Sequence, residues 1–312
     1  MEIRLLGAVE ARVDGRTVEL GPPGQRFVLA VLAMEANRVV PLHRLVELRW
    51  PDVPPPTAVH SIRAAVSRLR GILKEVDAGR FPVRLVTRRP GYQLELDPLR
   101  VDAHRFRELV CQAHRADDER RIPLLHEALD LWRGPALAGL DAVTSAGALT
   151  AGLEEARLLA WEDAMDAYLH TGRHREVLEP LTDLVEAHPG RERPVGQLMV
   201  ALYRSGRAHE ALQVYRRARR QIAEQFGLEP GAELRGVELA ILRDDPSLLA
   251  APNGGTAGER RVLVRPDAGG PAEPTEEPTA LARRIGDRLS SADPATAHVV
   301  ARLLGVAAEL LA

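Results

Sequence analysis

Short apolar and alternating runs open the chain, and a helical period then replaces them. The segment IRLLGAVEARVDGRTVEL places such runs on both sides of Asp14-Gly15, a dipeptide that favours a tight turn between two strands. A Pro-Pro-Gly run ends the strands, and apolar positions recur at helical spacing in QRFVLAVLAMEANR. The pattern predicts a β-hairpin, a helix with one buried face, and a second short helix over residues 43–50.

A third helix is predicted from Thr57 to Glu75, and its two faces differ in character. Thr57 follows a proline-rich run and can cap the first turn. One face is apolar and holds Val59, Ile62, Val66, Leu69 and Leu73. The outward side carries polar or basic groups, namely His60, Ser61, Arg63, Ser67, Arg68, Arg70 and Lys74. The helix can therefore pack on the two preceding helices and present a basic surface on its other side.

Two strand-like runs, FPVRLVT and YQLELD, follow this helix and predict a second β-hairpin. The turn between them holds Arg88 and Arg89, which makes the tip of the hairpin basic. Strands, three helices and a terminal hairpin are the arrangement of a winged helix, with residues 57–75 as the recognition helix and residues 88–91 as the wing. A helix fits the major groove, where arginine can form two hydrogen bonds with guanine, and a basic wing can contact phosphates or a narrow minor groove.

Helical spacing of the apolar positions then continues to residue 249. Within this region AYLHTGRHREVL, residues 167–178, aligns with ALYRSGRAHEAL, residues 201–212, and places Gly172 and Gly206 34 residues apart. This period is typical of tetratricopeptide helix pairs, which stack into a surface used for protein contacts. The predicted fold class is mainly α, with an N-terminal winged helix-turn-helix (α+β) followed by an all-α tetratricopeptide-like domain.

Changes in pattern along the chain predict four segments. They are a winged-helix DNA-binding domain, 1–98, a helical domain, 99–249, a flexible linker, 250–278, and a C-terminal helical segment, 279–312. The linker is assigned from its content of Gly, Pro, Ala, Glu and Thr. The last segment regains helical periodicity, and it could either dock on the repeat domain or pair between subunits.

Composition adds charge to this picture. The net charge is −2, but residues 1–98 hold 15 Lys and Arg against 11 Asp and Glu, and residues 57–92 hold 8 against 2. Such a local excess favours a polyanionic partner, with a solvated basic face as the alternative. The single cysteine, Cys111, permits no internal disulfide and is expected to be a small buried residue in a reducing interior. Because neither a secretory signal nor a membrane span is recognisable in the sequence, we expect a soluble, cytoplasmic, nucleoid-associated protein with no membrane contact.

The sequence lacks the signatures of common enzymes and metal sites. It contains no Gly-rich phosphate loop and no G-x-S-x-G motif, and a single cysteine excludes thiolate zinc sites. His170 and His174 have the spacing of helical metal ligands, but Gly172 interrupts the helix between them. Glu154 and Glu155 are adjacent and are interpreted as a solvated face, because neighbouring helix positions do not face each other. We therefore expect no catalytic activity, no cofactor and no metal.

Many ordered motifs resemble those of the Streptomyces antibiotic regulatory protein family. They span residues 2–249 and include LLGAVEARVDGRTVELGPPGQR, VSRLR, TRRPGYQLELDP, VDAHRF, ALDLWRGPAL and FGLEPGAEL. That family joins an OmpR-type winged helix to a tetratricopeptide-like bacterial transcriptional activation domain. The resemblance implies a transcription activator of a biosynthetic (secondary metabolite) gene cluster, such as one for antibiotic biosynthesis. It also implies binding to direct repeats in double-stranded promoter DNA and recruitment of RNA polymerase through contacts that include its sigma factor.

The resemblance also implies which residues contact DNA. They lie in the recognition helix and the wing, and are Ser61, Arg63, Ser67, Arg68, Arg70, Arg88 and Arg89. Ala64 and Ala65 stand where we expect bulkier polar or aromatic residues in relatives, which leaves the DNA sequence preference open. Two copies are expected head to tail on the repeats, so self-association on DNA is a further expectation. A protein-interaction adaptor that uses the winged helix as a scaffold, and a ligand-sensing regulator, remain as alternatives.

Overall fold

Short strands and helices alternate in the N-terminal part of the protein, and helices alone make up the rest. The computed structural model describes residues 1–76, 83–140 and 146–249. The linker and the C-terminal helical segment predicted for residues 250–312 lie outside the described residues. The described part of the chain is mainly helical with two small antiparallel sheets, so the predicted fold class is confirmed.

Each of the two sheets has three antiparallel strands. The first, in the order β1-β2-β3, is formed by Glu2–Arg4, Glu10–Val13 and Arg16–Val18. The second, in the order β4-β6-β5, is formed by β4 (Val40–Pro41), β6 (Gly91–Glu95) and β5 (Arg84–Arg88). Asp14 and Gly15 connect β2 to β3 with positive φ angles of 48° and 79°. This conformation is the one that tight hairpin turns require, so the predicted first hairpin is confirmed.

Three helices pack against each other and against the second sheet, and they contribute much of the core of the N-terminal region. They are α1 (Pro23–Met34), α2 (Leu42–Arg49) and α3 (Ala58–Val76). The buried line of α3 runs through Ala58, Ile62, Ala65 and Leu69. Val59 lies about two turns before the buried Val66 and points to nearly the same side, but it belongs to the first turn of α3. At this end of the helix Val59 is 40% exposed, so it lies on the apolar side but is not a core residue.

Seven further helices follow the second sheet in the described residues. They are α4 (Asp102–Arg115), α5 (Asp118–Leu129), α6 (Ala146–His170), α7 (Leu178–Ala187), α8 (Glu192–Arg204), α9 (Ala208–Phe226) and α10 (Ala232–Leu242). Helix α5 packs against α4 and α6, and α8 packs against α6, α7, α9 and α10. In residues 1–76, 83–140 and 146–249, no helix is long and apolar enough to cross a membrane.

The predicted 34-residue repeat is present in the backbone geometry. Gly172 and Gly206 follow equivalent helices and have φ angles of 75° and 76°. In each copy the next residue, an arginine, donates its backbone N–H to the carbonyl five residues earlier over 2.9 Å. Each of these arginines also forms two hydrogen bonds with a glutamate three residues later, and the pairs are Arg173–Glu176 and Arg207–Glu210. The turn that follows α6 is therefore repeated, bond for bond, in the turn that follows α8.

The segment after β1 joins the N-terminal region to the helical region. The Asp102 carboxylate accepts hydrogen bonds from the backbone N–H groups of Leu5 at 2.7 Å and Leu6 at 3.1 Å. The Leu5 carbonyl accepts from the Leu137 N–H at 2.9 Å, and the Leu6 carbonyl from the Arg133 N–H at 2.8 Å. Because these backbone groups are satisfied from the helical region, the winged-helix part and the helices are joined through a shared, hydrogen-bonded seam.

Two further expectations about side chains were wrong. Glu154 and Glu155 are not only a solvated face. Glu154 accepts the backbone N–H of Ala136 at 2.7 Å, and Glu155 pairs with Arg191 at 2.8 Å. Cys111 is half-buried instead of buried. The partners of the two carboxylates lie 18 and 36 residues away in sequence, so helical periodicity did not reveal them.

Candidate nucleic-acid interface

The outward face of α3 is exposed along its length, while its other face is held by the core. The side chains singled out on this helix are all exposed: His60, Ser61, Arg63, Ser67, Arg68, Arg70 and Lys74. The apolar side chains opposite them, such as Ile62 and Leu69, are fully or almost fully buried. The amphipathic sequence thus fixes the rotation of α3, and its polar and basic groups face away from the protein core.

Arg63 differs from the other arginines of α3. It lies two turns before Arg70. Its guanidinium forms no hydrogen bond or ion pair within the described part of the chain. Lys74 and the wing residue Arg89 share this property. An exposed, unpaired guanidinium can form two hydrogen bonds with a guanine edge or with a phosphate without first breaking a contact in the protein.

Arg70 connects the recognition helix to the wing. Its Nε donates to the Leu85 carbonyl at 2.7 Å, and its Nη2 donates to the Thr87 hydroxyl at 2.7 Å. The guanidinium also lies 5.8 Å from the centre of the Tyr92 ring. Hydrogen bonds to a charged group contribute about 1.5–3 kcal/mol each. Arg70 therefore holds β5 against α3, and its charge lies where the helix and the wing meet.

Arg68 is tied to the start of the first helix. Its Nε donates to the side-chain oxygen of Gln25 at 3.0 Å, and Gln25 is 2% exposed. Arg49, on α2, lies nearby in the same helical layer, with its guanidinium 5.7 Å from the ring centre of Phe27 and 5.0 Å from that of Trp50. Burial lowers the pKa of Arg49. No sequence pattern points to Gln25 or Arg49, since neither lies in the basic segment of residues 57–92.

The wing is formed by β5, β6 and the turn between them. The backbone of Arg88 pairs with that of Gly91 across the turn. The Arg88 Nη2 lies 3.4 Å from the Glu95 Oε1, and the two side chains form an exposed ion pair. Arg89 and Pro90 are exposed at the tip. An exposed ion pair of this kind contributes little, so Arg88 can exchange its partner for a phosphate at small cost. The predicted wing thus presents two arginines to solvent.

Asn37 anchors the base of the wing. Its side chain accepts the Leu96 N–H at 3.1 Å and donates to the Leu96 carbonyl at 2.9 Å, as a neighbouring strand would. Its backbone has a positive φ of 63°, which asparagine tolerates better than most residues. Its N–H donates to the Leu94 carbonyl at 2.9 Å, and its carbonyl accepts from Gln93 at 2.8 Å. These four hydrogen bonds fix β6 beside the loop between α1 and β4.

Comparison with known proteins places this architecture in a family. The sequence profile of the bacterial transcriptional activator domain matches residues 101–242. The regulatory protein DnrI of Streptomyces peucetius is 35% identical over 256 residues, which cover 80% of this chain and 94% of DnrI. The transcriptional regulator RedD of Streptomyces coelicolor is 37% identical over 254 residues, covering 80% of this chain and 72% of RedD. The chain belongs to the Streptomyces antibiotic regulatory protein family.

A solved relative has the same fold as this family member. Mycobacterium tuberculosis EmbR, determined in complex with a low affinity phosphopeptide, superposes with a TM-score of 0.73 and 34% identity. The match covers 78% of this chain and 65% of the EmbR chain. The predicted family and the winged helix joined to a helical domain are thus confirmed. The related proteins are transcriptional regulators, so this family member is a regulator of transcription.

Proposed function

We propose that this protein activates transcription by binding promoter DNA through residues 1–98 and presenting residues 99–249 to RNA polymerase and its sigma factor. The observation that carries the proposal is the outward face of α3, where Arg63 is exposed and unpaired within the described residues. Arg89 extends this basic surface to the wing. Arginine groups at these two places suit the two kinds of contact made by winged helices, base edges from the helix and phosphates from the wing.

The proposed target is a pair of direct repeats near the promoter of a biosynthetic gene cluster. Two protomers on repeats one or two helical turns apart would face the same side of the DNA. Their helical domains would then lie on one side, where polymerase can contact both. In this proposal the protein acts in the cytoplasm on the nucleoid, and the protomers occupy the repeats head to tail.

The proposal is tested by a mobility shift on DNA from upstream of genes that neighbour this protein's own gene. We expect salt-sensitive binding, because each phosphate neutralised by arginine or lysine releases a counterion. Arg63→Ala is expected to weaken binding by about 1–3 kcal/mol, and to change base preference if the side chain contacts a base. Arg107→Ala, which removes an exposed arginine on α4, is the matched control and is expected to bind as the unaltered protein does.

The outcome separates this function from the alternatives. Binding that is absent at every salt concentration, even with polymerase and sigma factor present, would favour the protein-interaction adaptor. Binding that appears only after a cell extract of small molecules is added would favour the ligand-sensing regulator. Arg70→Ala is a poorer probe than Arg63→Ala, because it also removes the hydrogen bonds to Leu85 and Thr87.

Helical phasing tests the arrangement on the promoter. Inserting half a helical turn of DNA between the two repeats rotates one protomer to the opposite side of the duplex. We expect transcription activation to be lost, while a full-turn insertion restores much of it. The measurement is a reporter assay with a series of spacer lengths. Activation that is undiminished by the half-turn insertion would contradict the arrangement on one face of the DNA.

A further inference from the structure

Helix α7 carries three carboxylates on its outward positions. Glu179, Asp183 and Glu186 are four and three residues apart, so they lie on one side of the helix. All three are exposed, and none forms a hydrogen bond or ion pair with another described residue. We call these three residues the acidic stripe.

Helix α9 carries the opposite charge on its outward positions. Arg216, Arg217 and Arg220 are exposed, and they likewise have no partner among the residues that the structure describes. Arg219 differs from them, because it donates to Glu229 at 2.8 Å and is neutralised within the chain. We call Arg216, Arg217 and Arg220 the basic stripe.

The two stripes lie on the same face of one protomer. A shift of 34 residues carries Leu181 of α7 onto Tyr215 of α9, and both of these side chains are buried. The two helices therefore have the same rotation, and equivalent positions of successive repeats face the same side of a stack. The same shift carries Asp183 onto Arg217, so opposite charges lie at the same level along the two helices.

Neither stripe is favourable in an isolated protomer. Like charges three or four residues apart on a helix repel each other. Glu186 also lies in the last turn of α7, which holds no basic residue, and the helix dipole disfavours a negative charge at that end. Cations supplied from outside the protomer would stabilise the acidic stripe, and carboxylates from outside would stabilise the basic stripe.

Two exposed apolar residues adjoin the stripes where both helices end. Phe226, the last residue of α9, is 58% exposed, and Leu228 is 64% exposed. A methyl group on Gly190 would lie only 3.2 Å from the Phe226 ring, and Gly190 follows the end of α7 at Ala187. The ends of α7 and α9 are therefore neighbours. Apolar side chains bordered by charged ones are the usual composition of a protein–protein interface.

We propose that, without DNA, two copies of this chain pair face to face about a two-fold axis that runs parallel to α7 and α9 and between them. This axis places α7 of each copy on α9 of the other. Asp183 then lies opposite Arg217, and Glu186 lies opposite Arg220. Each contact occurs twice, because a two-fold interface uses the same surface of both protomers.

The charges select this axis over the other face-to-face arrangement. A two-fold axis running across the helices would place α7 on α7 and α9 on α9, where like charges repel each other. With the axis parallel to the helices, each stripe faces the opposite charge. Phe226 of each copy then lies over the end of α7 in the other copy.

The pair is independent of the proposed function and limits it in one respect. Two-fold symmetry orients the two winged helices in opposite directions, which suits inverted repeats and not direct repeats. Binding of two protomers to direct repeats would therefore require the pair to separate.

Sedimentation velocity of the full-length protein without DNA tests the pair. We expect closed dimers whose dissociation constant rises with salt, because salt screens the attraction between exposed charges. Asp183→Arg with Glu186→Arg makes both stripes mainly basic, and Arg217→Glu with Arg220→Glu makes both mainly acidic. Each of these two variants should raise the dissociation constant by about 100-fold or more, since like charges then face each other across the interface.

Restored complementarity distinguishes a lost contact from a damaged fold. An equimolar mixture of the two variants should form heterodimers, because one variant carries two basic stripes and the other carries two acidic stripes. The chain that carries all four substitutions should dimerise with itself, since its two stripes have only exchanged their charges. Damage to the fold would prevent both recoveries.

A control with the same change of net charge excludes a general effect. Arg107→Glu with Arg120→Glu reverses two exposed arginines on α4 and α5, and it should dimerise as the unaltered protein does. Any of three results would overturn the two-fold pair. They are an unaltered protein that stays monomeric at every protein and salt concentration, assemblies that grow beyond the dimer as an open contact allows, and a four-substitution chain that does not dimerise.

Discussion

Replacing Gly91 with alanine should detach the wing from the strand that supports it. A methyl group at this position would lie 1.9 Å from the Val40 carbonyl oxygen and 2.7 Å from the Pro41 Cα. Both are backbone atoms, so no side chain can rotate away to make room. Val40 pairs with Tyr92 and Pro41 pairs with Gly91, and these are the two residues of β4. The added methyl group would therefore separate the whole of β4 from β6.

The loss should be large for a single methyl group. Separating the strands breaks their pairing and exposes Tyr92 and Val40, both of which are buried. We expect the free energy of unfolding to fall by about 3 kcal/mol, the upper end of the usual cost of overpacking, because the clash is with backbone atoms that cannot rotate away. DNA binding should weaken as well, because the wing arginines Arg88 and Arg89 directly precede this strand.

Chemical denaturation measures the effect, and Gly71 offers a matched control. Gly71 is an exposed residue of α3, and a methyl group there would meet no atom within 4 Å. Gly71→Ala should therefore stabilise the protein by about 0.5–1 kcal/mol, the usual gain from removing a glycine inside a helix. A Gly91→Ala protein that unfolds at the same denaturant concentration as the unaltered one would show that this close approach is not maintained in solution.

The sequence was informative where structure depends on neighbours along the chain. Asp14-Gly15 predicted a hairpin because both residues accept the backbone angles that such a turn needs. The rotation of α3 followed from the spacing of its apolar residues, of which Val59 in the first turn is exposed. The 34-residue repeat followed from the glycines at 172 and 206, whose positive φ ends a helix in each copy. These features need only local geometry and periodicity.

Contacts between distant residues account for what the sequence did not predict. Arg70 was recognised as a basic residue of the recognition helix, but its hydrogen bonds to Leu85 and Thr87 join residues 15 and 17 positions apart in the sequence, which helical periodicity does not reveal. No sequence pattern indicated a structural role for Asn37, because its hydrogen-bond partner Leu96 lies 59 residues away. The same reason applies to the wing glycine Gly91, which looked like an ordinary turn residue. The predicted DNA contacts themselves stay predictions until binding is measured.

Asp102 also binds residues far away in sequence, and its replacement should have the second large effect. Its carboxylate is 8% exposed and accepts the N–H groups of Leu5 and Leu6, which lie 97 and 96 residues away. Burial raises the pKa of Asp102, while the two N–H donors and the nearby charge of Arg133 oppose that shift. Asp102→Ala removes the acceptor of both donors and leaves the Arg133 guanidinium without this carboxylate at 3.6 Å.

We expect Asp102→Ala to lower the free energy of unfolding by about 3–5 kcal/mol, because two buried N–H groups lose their acceptor and the Arg133 guanidinium keeps Glu10 as its one remaining carboxylate partner of the two. Asp97→Ala is the matched control, since Asp97 is exposed and accepts a single N–H, that of Leu99, at 3.1 Å. Its removal should cost about 0.5–2 kcal/mol, as for other capping residues. Equal losses in the two variants, measured by chemical denaturation, would contradict the special role of Asp102.

The position of Asp102 also leads us to expect an effect on transcription activation. It begins the first helix of the helical region, and its partners follow the first strand of the winged-helix region. In the proposed function, polymerase contacts the helical region while the winged helix is bound to DNA. The junction then sets the orientation of the helical region relative to the DNA. A variant that weakens the junction without unfolding the protein, such as Asp102→Asn, should therefore reduce activation in a reporter assay more than it reduces affinity for a single repeat. Equal reductions in both would show that the junction contributes to folding alone.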